Sequence, residues 1–142
     1  MNTEAIAFAL IAAFAGGAYS ILQRVTAAAF NQAFGALAIS LTAAFVSAIV
    51  LVCTRDSRPL YTDASMLPWI VLIGIAAFSI DYFSLQAYSR GLSVSIGSPL
   101  FIGVSIMTAS LAGFAMGEAV TSMKLLGIGF IVLGAVIVSA LA

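Results

Sequence analysis

One stretch gathers most of the groups that could do chemistry. From Trp69 to Pro99 it reads WIVLIGIAAFSIDYFSLQAYSRGLSVSIGSP. An apolar run meets Asp81, and Tyr82, Ser84, Gln86, Tyr88, Ser89 and Arg90 follow closely. Asp81 is the only acidic residue well inside a long apolar segment. A charged Asp at the centre of a membrane helix costs roughly 2.5 to 3.5 kcal/mol, so it belongs on a bundle interior or a wet cavity. There it could bind a cationic group or carry a proton. Tyr82, Gln86 and Tyr88 would shape such a site, since aromatic faces suit cations and flat rings. The plainer alternatives are a bond to a tyrosine or a pair with Arg90. Arg90 lies nine residues on, about 13 Å of helical rise, too far for contact within one straight helix.

The composition says what must hold this stretch. The chain has 142 residues, 63% hydrophobic and only 7% charged, with a mean hydropathy of +1.22. A soluble domain carries about 25% charge and could not cover its surface with this mixture. The apolar runs are continuous and reach about 20 residues, so the spans are helices and not barrel strands. The expected class is an all-α integral membrane protein with five transmembrane helices, near residues 5–25, 33–53, 67–89, 94–116 and 122–141. The net charge is zero and no basic patch is present, which argues against nucleic acid as a partner. With no histidine and a single cysteine, Cys53, no metal-ligating cluster forms and no cofactor is implied. Cys53 sits in an apolar run and reads as a small hydrophobe. An enzyme is the least supported class, because no nucleophile–base pair is visible.

Helix one starts with Glu4 and no cationic region, so it reads as a retained span and not a signal peptide. Gly16-Gly17 in its middle suits either close helix packing or a hinge beside a cavity. Tyr19, Ser20 and Gln23 follow, and Arg24 closes the segment. Asn31 can cap helix two. Its Ser40, Thr42 and Ser47 should bond to backbone, as small hydroxyls on lipid-phase helices do. The loop TRDSRPLYTDASM, Thr54 to Met66, carries both signs of charge, and Arg55 and Arg58 would mark a cytoplasmic face. Pro68 suits a first helical turn and Trp69 an interfacial belt.

On helix three, Asp81, Ser84 and Tyr88 form one stripe, and Tyr82, Gln86 and Ser89 the adjacent one. Together they make a polar arc that lipid would not tolerate. On helix four, Ser98, Ser105 and Thr108 share a face. They could bond a substrate or hold helices together. Glu118 precedes helix five closely enough to meet its positive end, a structural role. Gly127 and Gly134, seven apart, form a small-residue groove for another helix.

Five spans put the termini on opposite sides. Arg55, Arg58 and Lys124 then share one side, and Arg24 and Arg90 the other. That bias is weak under the positive-inside rule. It fits either a fixed N-inside topology or copies inserted both ways and paired antiparallel, with a site near the midplane between them.

The chain resembles a single EamA-type repeat of the drug/metabolite transporter superfamily. The resemblance rests on LQAYSRGLSVSIGSPLF, on Gly117-Glu118, and on LLGIGFIVLGAVIVSALA, and it spans essentially residues 1–142 as one domain. Many family members have a second proline in helix four about where Gly103 and Val104 stand here. The small multidrug resistance proteins of the superfamily have four helices and a central glutamate in the first. Here helix one carries only Glu4 at its edge, so their exchange mechanism does not transfer by position. The Gly127–Gly134 spacing is similar to their dimerising glycine face.

The resemblance implies a secondary transporter, an exporter of a small metabolite or xenobiotic working by alternating access. Most members with this repeat carry two copies in one chain. A single copy implies a homodimer, or a related five-helix partner, in a bacterial or archaeal inner (plasma) membrane. The expected substrate- or proton-binding set is Asp81, Tyr82, Gln86, Tyr88, Ser98 and Ser105, with Gly16 and Gly17 as hinge and Gly127 and Gly134 as dimer packing. The other readings are a subunit of a lipid-carrier flippase and a non-transporting membrane scaffold.

Overall fold

The computed structural model describes residues 3–54 and 64–140. It contains five α-helices: α1 Thr3–Thr26, α2 Gln32–Thr54, α3 Leu67–Ser89, α4 Val94–Ala115 and α5 Ser122–Ala140. All five are long and apolar enough to cross a membrane. Each described end falls within two residues of the expected one. Arg55 and Arg58, the expected markers of one face, lie outside the described residues.

Local chemistry sets the helix ends. Asn31 Oδ1 accepts from the N–H groups of Ala33 at 3.0 Å and Phe34 at 3.4 Å, so Asn31 caps α2 as expected. A single 3-10 turn, Ala64–Met66, leads into α3, and Pro68 occupies its first turn, where a missing N–H costs nothing. Gly91 follows α3 with φ at +98°, a left-handed conformation that a Cβ would disfavour. Gly117 at +90° does the same after α4. Thr121 opens α5, its Oγ1 accepting from Lys124 N–H at 3.3 Å.

Hydroxyls within the spans are mostly absorbed by their own helices. Ser20 donates to Gly16 O, Thr42 to Ala38 O, Thr108 to Val104 O and Ser139 to Ala135 O. In lipid this removes an unmatched donor without needing a neighbour.

The chain forms two compact units, Met1–Arg24 with Gly91–Ala142, and Val25–Arg90. In the first unit α4 packs on α5. Gly103 and Ala135 are both buried, and a Cβ placed on Gly103 would stand 2.7 Å from Ala135 Cβ. The α4-facing stripe of α5 is thus Ile128, Val132, Ala135 and Ser139, its less exposed side. Gly127 and Gly134 lie beside that stripe, exposed, and among the described residues nothing beyond their own helix stands within 4 Å of where a Cβ would be on either. In the second unit α2 packs on α3. Here Leu85 lies over Gly35, its Cδ1 3.0 Å from the corresponding Cβ position.

Burial is inverted relative to a soluble core. Phe8, Phe14, Phe45, Ile73 and Phe130 are all exposed. The buried non-glycine side chains among the described residues are Ala27, Ala36, Leu85, Tyr88 and Ala135, with three polar ones, Gln23, Asp81 and Ser84. Lipid solvates large apolar groups as well as a core does, so the polar groups gain most from leaving it.

Candidate functional site

The site begins with the periodicity of α3. Asp81, Ser84, Leu85 and Tyr88 occupy one side of the helix, and all four are buried. Asp81 is 8% exposed and Tyr88 fully buried. Asp81 stands eight residues before the helix end, about 12 Å along the axis. Ser84 Oγ donates to the Asp81 carbonyl at 3.1 Å, so it braces the backbone that carries the carboxylate. Leu85, on the same side, meets Gly35 of α2. The absent side chain at Gly35 lets α2 approach this face closely.

Tyr82 and Gln86 stand elsewhere. At about 100° per residue, the arc through Tyr82, Phe83, Gln86, Ala87 and Arg90 lies roughly opposite the buried one. These five residues line a shallow groove of about 360 Å³. Gln86 Nε2 donates to Tyr82 Oη at 3.2 Å. Tyr82 also stacks on Phe78, with centroids 6.0 Å apart, and meets Phe83 edge-on at 5.2 Å. The structure therefore brings Asp81 and Tyr88 together on one face of α3, and Tyr82 and Gln86 on another.

In the other unit, Pro99 lies in the second turn of α4. It has no N–H, so the carbonyl of Ser95 loses its helical donor. Next to it, the buried Ser98 Oγ has no hydrogen-bond partner among the described residues. A buried hydroxyl left unmatched costs about 1–3 kcal/mol. Ser105, seven residues on, is exposed. Gly16 and Gly17 lie within an unbroken α1, and a Cβ on either would meet nothing within 4 Å. Glu118 folds its carboxyl back over Gly113, 2.9 Å from a Cβ placed there, and its N–H bonds Gly113 O at 3.0 Å. It fastens the α4–α5 turn.

Two residues lie outside the site set that the sequence predicts. Gln23 is only 3% exposed, and the half-buried Tyr19 precedes it by one turn. That i, i+4 polar pair in an apolar helix is the signal that was available. The second is Arg90, which the sequence offers as a helix-end charge or a partner for Asp81, and which the structure places beside Tyr82 and Gln86. Among the described residues no group of His, Cys, Asp or Glu could hold a metal ion.

No curated protein and no solved structure gives a significant match to the chain. The profile of the EamA-like transporter family matches residues 3–140, which includes all five helices. The chain is an integral, multi-pass membrane protein and belongs to the EamA-like transporter family, within the drug/metabolite transporter superfamily.

Proposed function

We propose that two copies of this chain form a ten-helix secondary transporter that exports a small metabolite or xenobiotic by alternating access, with Asp81 at the centre of its site. The observation that carries this reading is the burial of Asp81 in a helix long enough to span a membrane. A carboxylate kept there against its desolvation cost is a functional group by default. Tyr88 supplies an aromatic wall on the same face of α3. Ser98 offers an unused hydroxyl beside the Pro99 break in α4, with Ser105 on the same helix. Gly16 and Gly17 let α1 bend as access alternates. The pairing surface is α5, where Gly127 and Gly134 leave room for a second helix. The expected location is a bacterial or archaeal inner membrane.

The test is transport by the purified chain in proteoliposomes, using an aromatic cationic dye and an imposed pH gradient. Asp81→Asn keeps the shape and removes the charge. It should lower gradient-driven transport at least about tenfold, the scale of losing one charge-assisted contact. Asp81→Glu should keep a measurable part. Transport by Asp81→Asn at the wild-type rate, from protein that elutes as wild type does, would refute the role of Asp81.

A further inference from the structure

We propose that the groove of α3 lined by Tyr82, Phe83, Gln86, Ala87 and Arg90 holds an anionic phospholipid of the surrounding bilayer, with its phosphate on Arg90 and an acyl chain along Phe83. The site is separate from the buried face of Asp81, and the proposal stands whether or not Asp81 takes part in transport.

The groove lies on the side of α3 away from Leu85, where α2 packs. Its polarity is graded along the helix. Arg90 caps α3, its N–H bonding back to Gln86 O at 3.2 Å, so it sits at the end of a membrane span. Gln86 comes next, one turn inward. Tyr82 follows, about 12 Å from Arg90 along the axis, and on the same side the exposed Ile75 and Leu72 lie beyond it in an apolar stretch. Cation, amide, phenol and aliphatic side chain, in that order from interface to hydrocarbon, match the head, glycerol and tail of a phospholipid.

The polar capacity is unspent. The Arg90 side chain is exposed and makes no ion pair among the described residues. Gln86 uses one N–H on Tyr82, leaving its second N–H and its carbonyl to bond ester or glycerol oxygens. The Tyr82 hydroxyl accepts that bond and keeps its own proton to donate. The negative end of α3 opposes an anion at the helix axis. A guanidinium on a long stem, however, carries the binding point outward, past the last carbonyls, and its fork suits phosphate. A zwitterionic lipid offers the same phosphate but brings a cation up to the same guanidinium, so the net charge favours an anionic headgroup.

The experiment is native mass spectrometry of the detergent-purified full chain, titrated with phosphatidylglycerol, phosphatidylcholine or soluble glycerol phosphate. A second readout uses Ala87→Cys in a Cys53→Ala background, labelled with a fluorophore and quenched by brominated lipids. Wild type should retain phosphatidylglycerol about five- to tenfold more tightly than Arg90→Gln, the scale of one surface cation on an anionic lipid. Phosphatidylcholine and glycerol phosphate should not displace it. Brominated phosphatidylglycerol should quench the label more than brominated phosphatidylcholine, and Arg90→Gln should abolish the difference. Equal retention by Arg90→Gln, displacement by either competitor, or equal quenching by both lipids would each overturn the proposal. So would efficient disulfide cross-linking between two copies of the unlabelled Ala87→Cys variant, which would assign the groove to a second chain.

Discussion

A Cβ on Gly103 would stand 2.7 Å from the Cβ of Ala135, closer than non-bonded carbon atoms pack. This contact sets the crossing of α4 and α5. Gly103→Ala should therefore force the helices apart and destabilise the protein by about 1–3 kcal/mol, the usual cost of overpacking. Ala135→Gly in the same molecule should recover much of the loss, because it removes the opposing methyl. A double-mutant cycle on thermal unfolding in detergent reads the coupling directly. Independent effects of the two substitutions would contradict the crossing.

The contact between α2 and α3 is softer. A Cβ on Gly35 would meet Leu85 Cδ1 at 3.0 Å, but that atom is the far end of a flexible side chain. Gly35→Ala should cost under about 1 kcal/mol, since a rotamer change relieves it. Gly35→Leu should cost several times more and disturb the Asp81 face, because the α2 backbone itself must then move. Melting temperatures of the two variants should fall in that order.

The turn after α3 makes a backbone prediction. Gly91 holds φ at +98°, so Gly91→Ala should cost about 1–2 kcal/mol and Gly91→Asn less. Gly74, inside α3 with no atom within 4 Å of a Cβ, should tolerate Ala without loss and serves as the control. Unfolding midpoints measured in one detergent separate the two cases.

These contacts also show where sequence reasoning stops. The five helices were legible because lipid demands long apolar runs, and Asp81 stood out because it interrupts one. The stripe of Asp81, Ser84 and Tyr88 followed from the helical period and is buried as a unit. Periodicity joins the neighbouring stripe of Tyr82 and Gln86 to the same arc, but these side chains line a groove with Arg90 instead. Periodicity gives the angle between side chains, and only the position of α2 tells which angle is inward. The glycines divide for the same reason. Gly103 and Gly127 look alike in sequence, yet only Gly103 has a partner against it. The spacing that drew attention to Gly127 and Gly134 records which residues share a face of α5, and not what that face meets.

The last prediction concerns sidedness, on which an antiparallel pair depends. The α1–α2 turn and the α4–α5 turn lie on opposite sides of any five-span chain. Ala29 and Ala119 are exposed in those turns, and Ala29 is a better probe than Asn31, which caps α2. In a Cys53→Ala background, Ala29→Cys and Ala119→Cys should each label partially from outside with an impermeant thiol reagent in intact cells. The charges near the turns explain why. Arg24 and Arg90 on one side nearly balance Lys124, Arg55 and Arg58 on the other, so neither orientation is strongly preferred. One added lysine should then be decisive. Ala28→Lys should draw the α1–α2 turn inward and shift labelling toward Ala119→Cys, and Val120→Lys should shift it toward Ala29→Cys. Labelling confined to Ala29→Cys, and unmoved by either lysine, would mean a fixed N-inside topology. An antiparallel homodimer would then be impossible, and the second half of the transporter would have to be a related chain of opposite orientation.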